Sequence, residues 1–241
     1  MPASSSSRDA GASSRAVVAI DGPSGAGKST VARQLAQQLG FAFLDTGAMY
    51  RVITLHFLQR GCAPAACVDE ADRGHARMRA ALAEARLELP GGRVLLNGQD
   101  VTAEIRTRDV EAQVSAVSAL PFVRAAMGEL QRQVASQGPI VAEGRDMASV
   151  VFPDARWKIY LDAAPEERAR RRCQDFAKKG RVVSEADVLA EIVQRDRLDS
   201  TRADAPMVRA AGAVYVDSTG LPAETVMARL LALVRGEAGT T

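Results

Sequence analysis

Short apolar runs alternate with helical patterns along most of the chain. Ala16–Asp21 (AVVAID) is a β-branched run of the kind found in strands that are buried on both faces. Ser29–Leu39 has an apolar residue at every fourth position, as in a helix packed on one face, and Gly40 is a typical helix end. Further strand or helix patterns occupy Phe41–Asp45, Thr46–Arg60, Ile140–Ala142, Trp157–Leu161 and Val214–Val216. The alternation predicts an α/β fold, a doubly wound parallel sheet of five strands with helices on both faces.

Two segments interrupt this alternation. Residues 86–101 read as two short alternating stretches around Pro90-Gly91-Gly92, which predicts an antiparallel hairpin inserted into the parallel fold. Residues 166–183 crowd arginine and lysine onto a helix and a glycine-containing loop. Taken alone, such a cluster is more often a solvated helix face than a binding site.

Composition narrows the class of protein. Of the 241 residues, 47% are hydrophobic and 25% are charged, which is the balance of a globular protein and excludes wholesale disorder. The formal net charge of +2 carries no signature of a nucleic-acid partner. No apolar run approaches the length of a membrane span, so we expect no membrane partner. Residues 1–15, rich in serine and alanine, have no apolar segment of a secretory leader and are expected to form a disordered tail.

Cysteine and basic residues add two points. The 3 cysteines are too few and too irregularly spaced for a disulfide framework or a zinc site, which favours a reducing compartment and predicts a cytoplasmic protein. Among the 31 basic residues, arginine greatly outnumbers lysine. The planar fork of arginine binds phosphate and carboxylate through two parallel hydrogen bonds, whereas lysine is a point charge.

One motif carries a specific chemical prediction. Gly22–Ser29 (GPSGAGKS) matches the pattern G-x-x-x-x-G-K-[ST] and lies between a predicted strand and a predicted helix, which is the context that a phosphate loop requires. Its backbone N–H groups and the helix N-terminus cradle phosphate oxygens, Lys28 reaches the β- and γ-phosphates, and the Ser29 hydroxyl ligates Mg²⁺. The predicted nucleoside triphosphate site consists of Gly22, Pro23, Ser24, Gly25, Ala26, Gly27, Lys28, Ser29 and Thr30.

The rest of the chain bears on how the triphosphate is used. A regulatory GTPase carries an Asn/Thr-Lys-x-Asp guanine reader, and no lysine of this sequence lies in one. A mechanical ATPase normally has a strand ending in Asp-Glu, but Ala163 follows the strand-terminal Asp162. A small-molecule kinase is therefore favoured over a switch or a motor.

Two polar clusters follow predicted strands at the sheet edge where doubly wound folds bind ligands. The first is Asp45–Arg51 (DTGAMYR), and the second is Glu143–Met147 (EGRDM), which continues into Val150–Ala155 (VVFPDA). An isolated arginine or aspartate is more often part of a surface ion pair than a ligand. Position beside a phosphate loop reverses that balance for Arg51, Arg145 and Asp146.

In this order and spacing, the strings GPSGAGKST, LDTGAMYR, GRDM and VVFPDA resemble the bacterial cytidylate kinase family over about residues 16–235. The resemblance implies a single nucleoside monophosphate kinase domain with a small antiparallel monophosphate-binding insertion at about 68–108 and a helical lid at about 165–183. Residues 236–241 would form a second tail. The resemblance also implies transfer of a phosphoryl group from ATP, with Mg²⁺, to CMP or dCMP.

The family's site residues carry over only to matching positions. Arg51, Arg145 and Arg202 resemble the acceptor-phosphate ligands and, with Lys28, the catalytic set; Ser115, Arg124 and Asp146 resemble the cytosine readers. Arg195 and Asp199 resemble the ribose site, and Thr46 and Tyr50 complete the substrate set. The lid arginines Arg168, Arg171 and Arg172 are expected to contact the ATP phosphates. Spacing would place Arg195, Asp199 and Arg202 on one face of a helix, provided that the helix continues that far.

Two alternatives stay open on the sequence alone. One is a kinase of another nucleoside monophosphate, GMP or UMP, and the other is a non-catalytic nucleotide-binding regulator with a degenerate acceptor pocket. We expect the protein to be a monomer, because the lid and the insertion must move freely. At two positions the chain departs from the family: Thr46 stands where serine is usual, and Ala148 stands where glycine is common, which is a strain only if that backbone has a positive φ.

Overall fold

The computed structural model describes residues 17–64, 71–178 and 180–236. Four parts of the predictions lie outside these residues: the tail at 1–15, residues 237–241 of the tail predicted at 236–241, the start of the predicted insertion at 68–70, and Lys179 in the predicted lid. The described chain divides into two compact units, one formed by Met1–Asp45 with Gln131–Thr241 and the other by Thr46–Leu130. We call them the core unit and the inserted unit. The inserted unit is longer than the insertion predicted from the sequence, and the single kinase domain at 16–235 stays a prediction.

The core unit is built on a parallel five-stranded sheet, as predicted. The strands are β1 (Val17–Asp21), β2 (Ala42–Asp45), β6 (Ile140–Gly144), β7 (Trp157–Asp162) and β8 (Val214–Asp217). Their order in the sheet is β2-β6-β1-β7-β8, and every neighbouring pair is parallel. Its helices are α1 (Lys28–Leu39), α6 (Pro165–Lys178), α7 (Glu185–Thr201) and α8 (Ala223–Arg235). Apolar side chains from β1, α1, β7 and α8 form its main hydrophobic core, and their burial is the principal stabilising term.

The inserted unit contains the predicted antiparallel chemistry. Three short strands, β3 (Leu87–Glu88), β4 (Leu95–Leu96) and β5 (Gln99–Asp100), form an antiparallel sheet in the order β3-β4-β5. The hairpin predicted at residues 86–101 is therefore present, with a third strand after the Asn97-Gly98 turn. The unit's helices are α2 (Thr46–Gln59), α3 (Ala71–Glu84) and α4 (Arg108–Ser118), and α5 (Pro121–Ala135) begins in it and ends in the core unit.

Strand register determines where the functional side chains of the core unit lie. Asp21, the last residue of β1, is opposite Gly144 in β6 and Tyr160 in β7, and Asp45 is opposite Glu143. The carboxyl ends of β1, β2 and β6 therefore lie side by side. This is the edge at which open parallel sheets bind ligands.

Candidate active site

The phosphate loop joins β1 to α1 and packs closely against Leu161 and Arg168 of the same unit. A Cβ at Gly22 would lie 1.9 Å from the carbonyl oxygen of Leu161. A Cβ at Gly25, whose φ is +83°, would lie 3.0 Å from the Cβ of Arg168. These two glycines are required by the packing of the protein itself, in addition to any approach of phosphate.

Lys28 is the first residue of α1, and its ammonium group is buried. Nζ donates a hydrogen bond to the carbonyl oxygen of Pro23 at 2.7 Å. Burial, followed by the positive charge of Arg145, lowers the pKa of Lys28 to about 7. A bound polyphosphate would favour the charged form again, because it places negative charge beside the ammonium group.

A buried carboxylate stands beside the phosphate loop. The Ser29 hydroxyl donates to Oε1 of Glu143, the fourth residue of β6. Burial, followed by the negative charge of Asp45, raises the pKa of Glu143. The sequence placed Glu143 in the EGRDM cluster but did not single it out as a site residue. Its signal was a carboxylate at a strand end, one strand away from a phosphate loop.

The predicted acceptor residues of the core unit form a network of ion pairs. Arg145 Nε donates to Asp199 Oδ2 at 3.0 Å, and Arg195 Nε lies 3.9 Å from the same oxygen. Arg202 Nη2 lies 3.5 Å from Asp146 Oδ1. Both carboxylates are buried. The structure therefore places Arg145 and Arg195 on Asp199, and Arg202 on Asp146.

The helix of Arg195 and Asp199 does not continue to Arg202, so the condition for a helix face shared by all three residues is not met. α7 ends at Thr201, and Arg202 has the extended conformation, with φ −62° and ψ 142°. Its Nε donates to the carbonyl oxygen of Ala205 at 2.6 Å. Arg202 reaches Asp146 from the segment after the helix and not from a shared helix face.

The three predicted lid arginines lie on α6 and contact the phosphate loop in different ways. Arg168 is buried, and its guanidinium donates to the carbonyl oxygens of Ala163 and Ser24 and to Asp196 Oδ2, the last at 2.6 Å. Arg171 donates to Ser218 and, at 3.4 Å, to the carbonyl oxygen of Ala26. Arg172 Nη1 is 3.5 Å from Ser24 Oγ. Asp196, the partner of Arg168, was not expected from the sequence.

The remaining predicted substrate residues belong to the inserted unit. Thr46 and Tyr50 are buried near the start of α2, and the guanidinium of Arg124 lies over the Tyr50 ring at 5.8 Å. Arg124 also donates to the carbonyl oxygen of Ser118 at 3.2 Å. Arg51 Nη2 is 3.8 Å from Glu111 Oε1 on α4, the helix that also carries Ser115. Tyr50 and Arg124 are therefore brought together, and Arg51 has a carboxylate partner that the sequence did not indicate.

The cytidylate kinase family model matches residues 18–236 of this chain. The chain belongs to the cytidylate kinase family. Cytidylate kinase of Pelotomaculum thermopropionicum is 47% identical over 220 residues, covering 90% of this chain and 95% of that protein. Cytidylate kinase of Solibacter usitatus is 48% identical, covering 92% and 93%, and that of Carboxydothermus hydrogenoformans is 46% identical, covering 90% and 96%.

For this member of the cytidylate kinase family, Ala148 is not strained. Among the described residues, the non-glycine positions with a positive φ are Asn97 and Ala205. Ala148 lies in a π-helical turn, Met147–Val151, and its N–H is hydrogen bonded. The replacement of glycine there is compatible with the local backbone.

The described residues contain neither a clustered metal site nor a membrane-crossing helix. Within residues 17–64, 71–178 and 180–236, no group of three or more histidine, cysteine, aspartate and glutamate side chains is arranged to hold a metal ion. In the same part of this cytidylate kinase family member, no helix has the length and apolar character to cross a bilayer.

Proposed function

We propose that the protein transfers the γ-phosphoryl group of ATP to CMP or dCMP and releases ADP with CDP or dCDP. Membership of the cytidylate kinase family supports this activity. The observation that carries it lies in the core unit, where Gly144, directly before Arg145 and Asp146, is opposite Asp21, directly before the phosphate loop. Residues predicted for the donor and for the acceptor thus leave neighbouring strands at the same register position.

The reaction asks the protein mainly for alignment and charge neutralisation. An oxygen of the acceptor phosphate attacks the γ-phosphorus of ATP, and the bond from that phosphorus to the bridging oxygen breaks as ADP leaves. No general base is needed, because the acceptor is already an anion. We assign the neutralisation of the transferred oxygens to Lys28, Arg51, Arg145 and Arg202, and the holding of the ATP phosphates to the phosphate loop with Arg171 and Arg172.

Arg168 has a different part in the proposal. Its guanidinium is buried and already bonds to Ala163, Ser24 and Asp196. We therefore propose that it supports the phosphate loop through Ser24, while Arg171 and Arg172 face the donor more directly.

Base choice is assigned to Asp146 with Arg124 and Ser115. Cytosine has a donor amino group at C4 and acceptors at N3 and O2, so a carboxylate together with an arginine and a hydroxyl satisfies both kinds of group. Uracil, with a donor at N3, would leave buried polar groups of the protein unpaired. Arg195 and Asp199 are assigned to the ribose, and Thr46 and Tyr50 to the remaining contacts with the nucleotide.

Mg²⁺ is part of the proposal, and the residues present fit it. Magnesium prefers oxygen donors and keeps several of its waters. The Ser29 hydroxyl and the Glu143 carboxylate provide such donors, and Asp45 adds a second negative charge opposite Glu143. Burial of Glu143 beside Asp45 is a situation that a cation relieves. When bound with ATP, the ion would supply positive charge at the phosphates, and Ser29 and Glu143 would hold it.

A cytoplasmic location and a monomeric state complete the proposal. The cytoplasm is supported by the small number and irregular spacing of the cysteines. The monomer is supported by the need of a lid and an insertion to move.

One coupled assay tests the proposed function. ADP release is measured with ATP, Mg²⁺ and, in turn, CMP, dCMP, UMP, GMP and AMP, with Lys28→Met as the matched inactive control. We expect turnover with CMP and dCMP to exceed the other three by at least about tenfold, because a mismatched base leaves buried groups unpaired. Preference for UMP or GMP would overturn the assignment of the acceptor. ATP binding without turnover on any acceptor would indicate a non-catalytic regulator.

A further inference from the structure

Asp21, which is not among the predicted site residues, connects the phosphate loop to the segment of Arg145 and Asp146 within the core unit. Asp21 is the last residue of β1 and is 1% exposed. Its Oδ1 accepts the N–H of Met147, and its Oδ2 accepts the N–H of Ala148, both at 2.7 Å. Each oxygen of one carboxylate thus holds one backbone N–H of the π-helical turn that follows Asp146.

The same residue also determines the other end of this segment. The backbone of Asp21 is opposite Gly144 in the parallel ladder of β1 and β6. Arg145 and Asp146 are the two residues between Gly144 and Met147. Their backbone is therefore attached to Asp21 on both sides, through the strand ladder before them and through the carboxylate after them.

The turn transmits this constraint to Asp146. The carbonyl oxygen of Asp146 accepts the N–H groups of Val150 and Val151 at 2.9 and 3.1 Å. Two hydrogen bonds therefore hold its carbonyl, and the carboxylate of Asp21 holds the next two residues. The backbone that carries the Asp146 side chain therefore has little freedom to move. A specific contact with a base requires such a fixed position.

Burial of the charged Asp21 carboxylate is electrostatically unfavourable. Burial raises the pKa of this carboxyl to about 6, and the charge of Asp146 raises it too, while the N–H groups of Ala148 and Met147 and the charge of Lys28 lower it. The hydrogen bonds of a buried carboxylate must offset its desolvation free energy. An apolar residue at the end of β1 would carry no such desolvation penalty.

We infer that Asp21 is a positioning residue for the acceptor nucleotide, which holds Arg145 and Asp146 in place relative to the phosphate loop. The inference rests on the proposed function, since it assigns those two residues to CMP. Asp21 acts through the backbone of Met147 and Ala148 and does not touch substrate. Its loss should therefore affect the acceptor and the transfer step more than the binding of ATP.

The test is Asp21→Asn, which keeps the size of the side chain but offers one acceptor oxygen instead of two. The second N–H of the turn then faces an amide N–H₂ group. We expect the KM for CMP to rise by about tenfold or more and kcat to fall, because an unsatisfied buried donor displaces the segment that carries Arg145 and Asp146. The KM for ATP should stay within about twofold.

The control is Asp162→Asn. Asp162 ends the neighbouring strand β7, and its Oδ1 accepts the N–H of Ala163 at 2.8 Å, so it makes the same kind of bond away from Arg145 and Asp146. The KM of the Asp162→Asn variant for CMP should stay within about twofold of the wild-type value. An unchanged KM for CMP in Asp21→Asn, or an equal rise of both KM values, would overturn the inference.

If Asp21→Asn does not fold, Asp21→Ser provides the second variant, since its hydroxyl is small and keeps one acceptor oxygen. Binding of CMP and of an ATP analogue is then measured by calorimetry. Selective weakening of CMP supports the inference, and equal affinity to the wild-type protein for CMP overturns it. Failure of the wild-type protein to phosphorylate CMP would instead count against the proposed function, because these binding measurements need no turnover.

Discussion

The buried ammonium group of Lys28 makes the stability of the protein depend on pH. Its pKa falls from 10.5 to about 7 on folding, owing first to burial and then to Arg145. The folded protein therefore binds this proton less tightly than the unfolded chain does. The contribution of Lys28 to the free energy of unfolding is least favourable below pH 7 and improves as the pH rises from about 7 towards 10.5, at up to about 1.4 kcal/mol per pH unit.

Lys28→Met removes this contribution and keeps an apolar side chain of similar length. We expect the variant, compared with the nucleotide-free wild-type protein, to gain stability at pH 7 and to lose most of that advantage by pH 10. Urea unfolding at several pH values measures the difference. Parallel curves for the two proteins would show that the lysine keeps its proton in the folded state.

The side chain of Asp199 is buried in the core unit and does not lie on a solvated helix face. It is 5% exposed and accepts from Arg145 at 3.0 Å. Asp199→Ala would therefore cost stability as well as binding, because it leaves a partly buried arginine without its carboxylate. The sequence pattern does not show this pair, because Arg145 and Asp199 are 54 residues apart in the chain.

Asp199→Asn separates the two effects, because it keeps the shape and one acceptor oxygen. We expect the KM for CMP to rise by about tenfold, the consequence of weakening a hydrogen bond to a charged group, with the KM for ATP unchanged. Steady-state kinetics with each substrate varied in turn measures both constants. An unchanged KM for CMP would remove Asp199 from the ribose site.

At the scale of elements, patterns of local interactions were the most predictable. β1 and α1 follow from a β-branched run, a phosphate-loop string and a terminal glycine, and the structure places them at Val17–Asp21 and Lys28–Leu39. The π-helical turn at Met147–Val151 could not be predicted in this way, because the N–H groups of its first two residues are bonded to the carboxylate of Asp21, which precedes Met147 by 126 residues. The ion pair of Arg202 with Asp146, which the residue makes from beyond the end of α7, is also non-local and could not be predicted in this way.

Helix α6 contains two arginines for which we expect opposite consequences. Arg168→Ala would leave Asp196 partly buried without its partner and remove support from Ser24, so we expect a loss of about 3 kcal/mol in the free energy of unfolding. Arg172 is less buried, its Nη1 lies 3.5 Å from Ser24 Oγ, and its guanidinium lies over the Phe176 ring at 5.5 Å. Arg172→Ala should leave the stability within about 0.5 kcal/mol and raise the KM for ATP.

Chemical denaturation together with the KM for ATP distinguishes these two roles. Arg168→Lys serves as the control, because a lysine keeps the charge but cannot reach Ala163, Ser24 and Asp196 with one planar fork. If Arg172→Ala lost as much stability as Arg168→Ala, Arg172 would also have a structural role, and the distinction between the two arginines would be wrong.

For the molecule as a whole, strand alternation and the motifs indicated the parallel sheet, the antiparallel insertion and the family. The division into units was harder to foresee. The compact unit starts at Thr46 and ends at Leu130, because the helix after β2 packs against α4 and also shares with the small sheet a hydrophobic core that includes Val52, Leu96 and Ile105. Nothing local in DTGAMYR shows that its helix belongs to a different unit from the strand before it.

Ligand binding provides a prediction at this scale. A ligand at about 100 times its dissociation constant stabilises the folded state by about 2.7 kcal/mol, which for a chain of this size raises the melting temperature by about 5–10 °C. We expect CMP and an ATP analogue each to give such a shift in the wild-type protein. Because Arg124 is assigned to cytosine only, Arg124→Gln should lose most of the CMP shift and keep that of the ATP analogue.

Arg79→Gln is the matched control for this measurement. Arg79 belongs to the same inserted unit and lies over the Phe122 ring at 4.3 Å, as Arg124 lies over Tyr50, but it is exposed and has no assigned contact with a nucleotide. Both shifts should persist in Arg79→Gln. If Arg124→Gln kept its full CMP shift, or lost both shifts together, Arg124 would not be a reader of the base, and the choice of cytosine would have to rest on Asp146.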